Sequence, residues 1–554
     1  MTTALMTPLG DAIYRQKYSL DGKEEWNDTA RRVVEAVMGP LLPHLVEPMV
    51  EAISELKFVP GGRYLYAAGK PFAQTQNCLL LRAEDSREGW ADYISRAITG
   101  LMTGAGIGGV YTALRSRGTR TKGMGGVATG PVSLMQMLNE NGRHIMQGGS
   151  RRAALWAGLH WHHPDVFEFI HVKDWSDEIK RLREGDYNFP APMDMTNISV
   201  ILDDEFFEAL ETPGWTKEYP NGDSGEVYVA THEQAHRVYW EVIEQMLTTG
   251  EPGFSVDVGE HAGENLRNAC TEITSADDND ICNLGSINMA RVDSVEEFDN
   301  LVYLGTAFLL CGTIYSEVPY GRVRDTRAKN RRLGLGLMGV YEWLAVRGKP
   351  YAPDKELGEW LAGYAHSTYY ANVLADRLGV SRPVATRAMA PNGTIAILAG
   401  GTTSSIEPLF APAIKRRYLK DGKTWVYQYV IDSIAERLVE KGLDVNALDT
   451  AYDLAQDPER RVLFQAWFQQ YVDQGISSTI NLPAPDEQTF THREFGEMLL
   501  RYLPSLRGIT AYPNGARGGQ PLTAVPYEEA IGQEGVEFEE TSNEKACLSG
   551  VCGI

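Results

Sequence analysis

The segment Asn268-Ala-Cys-Thr-Glu-Ile273 sets one thiol between a carboxamide and a carboxylate. In extended backbone alternate side chains face the same way. This spacing therefore predicts that Asn268, Cys270 and Glu272 project together into one space. A carboxylate placed there is a candidate base, and an amide is a candidate hydrogen-bond orienter. A surface loop with a half-buried cysteine fits the same letters, so both readings stand at this point. Ten residues after Glu272 comes Cys282, in Cys-Asn-Leu-Gly-Ser-Ile-Asn288, and far upstream is Cys78, in QNCLLL. Linear spacing does not say whether these thiols meet.

Working outward, the chain has 554 residues, 43% hydrophobic and 23% charged, with a net charge of −22. An acidic surface repels nucleic acid and anionic membranes, which excludes both as expected partners. A local Arg/Lys cluster can still hold a small polyanion. The start, MTTALMTPLGDAIYRQKYSL, has no basic flank followed by an apolar run, so no secretory leader is expected. The longest apolar stretch begins at Leu301 and is too short to span a bilayer. It reads as a core helix, with Cys311 as part of the core. Six cysteines at irregular spacings suit a reducing compartment, where paired thiols are more often catalytic or metal-binding than structural. A cytoplasmic location is expected.

Three regions are expected. Residues 1–70 read as mainly helical, with DTARRVVEAVMGPLL showing helical periodicity up to Gly39-Pro40. Residues 71–517 alternate strand-like and helix-like segments with glycine-rich joints, the pattern of an α/β domain. Residues 518–554 are acidic and poor in periodicity, and read as a flexible tail carrying Cys547 and Cys552.

Other motifs admit plain readings. Gly104-Ala-Gly-Ile-Gly-Gly109 satisfies G-x-G-x-x-G, but a helix marked by Trp90, Ile94, Ala97, Ile98 and Leu101 precedes it and a strand follows. A dinucleotide site needs the reverse order, so these glycines are expected to let a backbone pass close to a neighbour or a ligand. His160, His162 and His163 lack a suitably spaced fourth ligand, and a strand end followed by a helix start explains them without a metal. Pro391-Asn-Gly-Thr-Ile395 is either an ordinary turn or a helix start whose free N–H groups hold a phosphate.

Taken in order, these and further stretches resemble the catalytic chains of ribonucleotide reductases. They are QNCLLL with EDSREGW, GAGIGGVYTALRSRG, VATGPVSLM, QGGSRRAALWAGLHWHHPDVFEFI, NACTEI with CNLGSIN, RRLGLGLMGVYEWL, PNGTIAILAGGTTSSIEP, STINLP and GITAYPNGARGGQPL. The last stretches are most similar to the adenosylcobalamin-dependent class II. The resemblance implies an α/β fold: a ten-stranded barrel of two parallel five-stranded half-sheets with a central finger loop, preceded by a small helical region. It implies that Cys270 forms the thiyl radical that abstracts the ribose 3′ hydrogen. Glu272 would take the 3′ hydroxyl proton and Asn268 would hold the sugar. Cys78 and Cys282 would supply two electrons and close as a disulfide. Asn77 and the loop Pro391, Asn392, Gly393, Thr394 and Ile395 would bind the substrate. Cys547 and Cys552 would shuttle electrons by thiol–disulfide exchange from thioredoxin or glutaredoxin.

For regulation, Asp85 and Ser86 match an effector site on dimer helices, with Arg115 and Lys122 on the phosphates of a dNTP or ATP. Gln147 and Arg151 would belong to the loop that relays effector identity, although Arg151 and Arg152 also read as solvated charges. A homodimer follows from this resemblance. The chain starts at the family's leading helices, so specificity control without an ATP/dATP on–off domain is expected. Class I relatives receive their radical through two adjacent tyrosines, but here Ala511 precedes Tyr512. The glycyl-radical motif Arg-x-x-Gly-Tyr is missing from the end, "VCGI". Adenosylcobalamin is therefore the expected cofactor, with no protein-bound metal site. The alternatives are a class I type subunit needing a separate metal-containing chain, and a catalytically inactive dNTP-binding protein. Retention of the five cysteines argues against the latter.

Overall fold

A computed structural model describes residues 6–121, 125–148, 151–186, 189–420, 424–516 and 522–538. The N-terminal region is helical as its periodicity requires. In Trp26–Met38 the buried side chains Trp26, Ala30, Val33, Val34 and Val37 form one stripe, the spacing that lays a helix on a core. The short strand Phe58–Pro60 then pairs antiparallel with residues 285–287, so this region is joined to the main sheet by backbone as well as by packing.

One mixed sheet of ten strands dominates the chain. Its first half is β1 (Cys78–Arg82), β2 (Gly106–Val110), β3 (Leu155–His160), β4 (Thr196–Asp203) and β5 (Gly253–Asp257), all parallel. Its second half contains β6 (Asp280–Asn288) parallel to β7 (Leu333–Met338), and β8 (Thr479–Leu482) parallel to β9 (Gly508–Pro513). The halves meet antiparallel at two seams, β1 with β6 and β5 with β9. Residues 385–389 complete the ring. Leu335 N donates to Thr386 O at 2.9 Å, and Met389 N donates to Gly475 O at 3.1 Å. These bonds close the sheet into the expected α/β barrel.

Strand residues 79–81 and the whole of Leu333–Met338 are buried, as a helix-covered parallel sheet demands. The covering helix Val295–Tyr315 starts before Leu301 and, contrary to the expectation from the shorter stretch, is long and apolar enough to cross a membrane, yet most of it is buried in the core. Ser294 caps it through a 3.2 Å bond from Glu297 N, and Cys311 is fully buried in it, as expected.

The C-terminal expectation needs correction. Leu522–Val525 and Glu537–Phe538 add to the hairpin Ala413–Lys420 and Thr424–Ile431, giving a four-stranded antiparallel sheet. Residues 522–538 are thus tied to the domain by a backbone ladder rather than forming loose chain from 518. The segment has little hydrophobic pattern of its own, and its partners lie about a hundred residues upstream, so nothing local announces the pairing.

Candidate active site

The finger loop is a small hairpin inside the barrel. Leu266–Arg267 pairs antiparallel with Thr274–Ser275, and residues 268–273 form its tip. Here the extended reading fails. Thr271 N donates to Asn268 O at 3.0 Å, and Thr271 has φ +67°, so the tip is a tight turn. Simple alternation is lost. Asn268 and Glu272 still reach the interior because they flank the turn, and Asn268 Oδ1 locks it by accepting from Ile273 N at 3.0 Å.

Two glycines let the turn enter. A Cβ on Gly108 would sit 1.6 Å from Arg267 O. A Cβ on Gly475 would sit 2.6 Å from Thr271 O. The loop is clamped between barrel backbones, and Gly475 N donates to Glu272 O at 2.8 Å. Gly108 belongs to the run that mimics a dinucleotide fingerprint, and close backbone approach is its use. The fully buried Arg267 guanidinium fixes the loop's base, donating to the carbonyls of Val256 at 2.8 Å and Leu266 at 3.1 Å and to that of Glu264.

Cys78 and Cys282 face each other across the β1–β6 seam as direct partners. Opposed residues of an antiparallel pair stand about 4.5–5.5 Å apart at Cα, within the range a disulfide spans. Both are free thiols and buried. Asn268 Nδ2 donates to Cys78 Sγ at 3.3 Å, which links the finger tip to this pair. Cys270 is half-buried at the tip. Burial pushes all three thiols up, and the nearby Glu272 carboxylate adds to the rise at Cys270 and Cys78. They are S–H groups at neutral pH, suited to hydrogen-atom transfer rather than to thiolate attack.

Glu272 is 1% exposed, and its Oε2 has no hydrogen-bond partner among the described residues. Burial raises its carboxyl from 4.5 to about 7, against the lowering pull of Asn268. The raised value means that folding favours the protonated form. This stability is full below pH 4.5 and is lost as pH rises through about 7. Glu272→Gln should therefore gain about 3 kcal/mol relative to the parent between pH 4 and pH 8. Urea unfolding at both pH values measures it, and an unchanged difference would refute the burial argument.

Two cavities flank the thiols. One, of about 250 Å³, is lined by Asn77, Ser286 and the whole run 391–395, together with Tyr18, Gly61 and Gly62. Cys282 and Ser286 lie on the same face of β6, roughly 13 Å apart at about 3.3 Å per residue. Ser286 Oγ donates to Asn392 Oδ1 at 3.0 Å. Residues Gly393–Leu398 form a six-residue helix behind this wall. The other cavity, of about 200 Å³, is lined by Cys270, Thr271, Asn197, Ser199, Ser477 and Tyr512 among others. Asn197 Nδ2 donates to Ala269 O at 3.1 Å, beside Cys270. Tyr18, Gly475 and Asn197 escape the sequence reading. Each lies far along the chain from its partners, and none belongs to a motif that points at this site.

The residues matched to an effector site lie apart from these cavities. Asp85 and Arg115 are adjacent but paired with each other, Arg115 Nε to Asp85 Oδ2 at 2.9 Å. Ser86 caps the helix Arg87–Thr103 through Gly89 N at 2.8 Å. Gln147 is buried and donates to Gly104 O at 2.9 Å, and its backbone pairs with Arg151. Lys122, Cys547 and Cys552 lie outside the described residues. The three histidines are spoken for: His160 bonds Thr112, His162 stacks on Tyr219, and His163 bonds Leu114 O.

Residues 76–373 and 381–503 match the family "Ribonucleotide reductase, barrel domain". The chain is 28% identical to a vitamin B12-dependent ribonucleoside-diphosphate reductase of Thermoplasma acidophilum, over 88% of this chain and 67% of that protein. It is 26% identical to one of Mycobacterium tuberculosis, over 97% and 83%. It is 22% identical to an adenosylcobalamin-dependent ribonucleoside-triphosphate reductase of Euglena gracilis, over 94% and 83%. With the family's barrel domain matched over most of this chain and a thiol-bearing finger threaded through the barrel, this chain belongs to the ribonucleotide reductase family.

Proposed function

We propose that this protein reduces ribonucleotides to 2′-deoxyribonucleotides by thiyl-radical chemistry, as a class II enzyme using adenosylcobalamin. The observation that carries the reading is the opposition of Cys78 and Cys282 directly beneath the 268–272 turn. The cofactor reading rests on the relatives named as dependent on vitamin B12 or adenosylcobalamin. The residues present fit it. Half-buried Cys270 borders a cavity walled by Asn197, Ser199, Ser477 and Thr510 and by the larger Trp156 and Glu251, with one tyrosine, Tyr512, and a buried Ala511 in place of a second. When bound, adenosylcobalamin would supply the radical equivalent that takes the Cys270 hydrogen.

The protein's own groups then divide the work. Asn77, Ser286 and residues 391–395 hold the nucleotide so that its ribose lies under the finger tip. Cys270 takes the 3′ hydrogen and returns it at the end. Glu272 accepts the 3′ hydroxyl proton. The 2′ hydroxyl leaves as water while Cys78 and Cys282 give two hydrogens and form a disulfide, so the sum is ribonucleotide plus dithiol to deoxyribonucleotide, water and disulfide. Cys547 and Cys552 then reduce that disulfide and are reduced in turn by thioredoxin or glutaredoxin. A homodimer with a dNTP or ATP effector at Asp85, Ser86, Arg115, Lys122, Gln147 and Arg151 completes the reading. An effector phosphate must compete with Asp85 for Arg115.

The decisive experiment assays the chain alone with a ribonucleotide and dithiothreitol, with and without adenosylcobalamin. Product only with the cofactor supports class II. Product only with an added metal-containing subunit overturns it. Turnover should rise with pH through about 7 as Glu272 ionises, and Glu272→Gln should remove that limb. Cys547→Ser should give about one turnover with thioredoxin as sole reductant and recover with dithiothreitol. Normal turnover with thioredoxin alone would refute the tail shuttle.

A further inference from the structure

Behind the turn that ends the Gly393–Leu398 helix lies a third cavity, of about 150 Å³, with no role in the chemistry above. Its wall carries Arg291, Arg437 and Lys441 against one carboxylate, Glu342. Both Glu342 oxygens are already engaged. Oε1 accepts from Arg437 Nη2 at 2.7 Å and Oε2 accepts from Thr402 Oγ1 at 2.9 Å. Arg437 also donates to Gly400 O at 2.7 Å, which leaves most of its guanidinium donors for another acceptor. Asn288 lines the same cavity and is fully buried. Its Oδ1 accepts from Ala290 N at 3.2 Å, while its Nδ2 has no partner among the described residues.

Arg437, Lys441 and the Asn288 amide bring more donors to this wall than the engaged Glu342 carboxylate accepts. A metal cation would meet positive side chains, and an apolar molecule would leave the Asn288 amide unsatisfied. A small oxyanion satisfies these donors with charge-assisted bonds, and a guanidinium fork suits a phosphate. We propose that this cavity binds a small phosphate-type oxyanion, held by Arg437, Lys441 and the Asn288 amide. Such an anion would sit against Arg437 where it grips the Gly400 carbonyl. Ser433 Oγ holds that carbonyl as well, at 3.0 Å, so the turn keeps a tether if Arg437 shifts.

The test titrates the full chain with inorganic phosphate, without nucleotide or cofactor, by calorimetry and ³¹P NMR. Its outcome is independent of whether the chain reduces ribonucleotides. One saturable site is expected below about 10 mM. Lys441→Glu changes an exposed side chain and should weaken binding by at least about fivefold. Thr394→Glu, which blocks the cavity lined by Asn77, Ser286 and residues 391–395, should leave binding within about twofold. Arg437→Gln should weaken it as Lys441→Glu does. Lack of saturation by about 50 mM, a smaller loss in Lys441→Glu, or a larger loss in Thr394→Glu would each overturn the proposal.

Discussion

Cys270→Ser is expected to abolish turnover while leaving the fold intact. The exchange replaces sulfur by oxygen at a half-buried turn position, a change of one atom with no loss of packed volume to speak of. Thermal unfolding should therefore shift by less than about 1 kcal/mol equivalent. The chemical effect is the opposite in scale. An O–H bond is too strong to yield its hydrogen in place of S–H, and the groups around it act as a unit, so activity should fall by at least ~10⁴-fold. Steady-state turnover paired with a melting curve separates the two. Retention of even a hundredth of the activity would remove Cys270 from the reaction.

Gly108→Ala should have the next largest effect, for a steric reason. The added methyl would lie 1.6 Å from Arg267 O, so the finger must retreat by more than an ångström or the barrel wall must open. Misplacement on that scale costs about 10²-fold in rate, and the overpacking costs about 1–3 kcal/mol. Gly363→Ala, where a Cβ meets nothing within 4 Å, is the control and should behave as the parent. If Gly108→Ala keeps full activity, the finger is not held by this contact.

The fate of particular residues shows what is legible along the chain. Cys270 and Glu272 stand out as candidates because a thiol and a carboxylate lie two residues apart, and the resemblance, not the spacing, gives them roles. The extended geometry expected for them is wrong, because alternation assumes extended chain and Thr271 adopts a left-handed conformation that makes a turn. Helix–strand order separates the glycines from 104 to 109 from a dinucleotide site, yet the atom that Gly108 accommodates comes from residue 267. Residues 522–538 read as tail because their ladder partners are remote.

Local chemistry by itself determined the helical start, the alternating α/β body and the buried apolar helix, whereas the roles expected of the thiols came from the ordered resemblance to a family. The first three follow from periodicity and residue type, which act over a few positions. Only the tertiary structure decided that Cys78 opposes Cys282, that Gly108 and Gly475 clamp the finger, and that Asn288 and Lys441 share a cavity. Those relations join residues a hundred or more positions apart, and strand register and loop closure set them rather than any pattern along the chain.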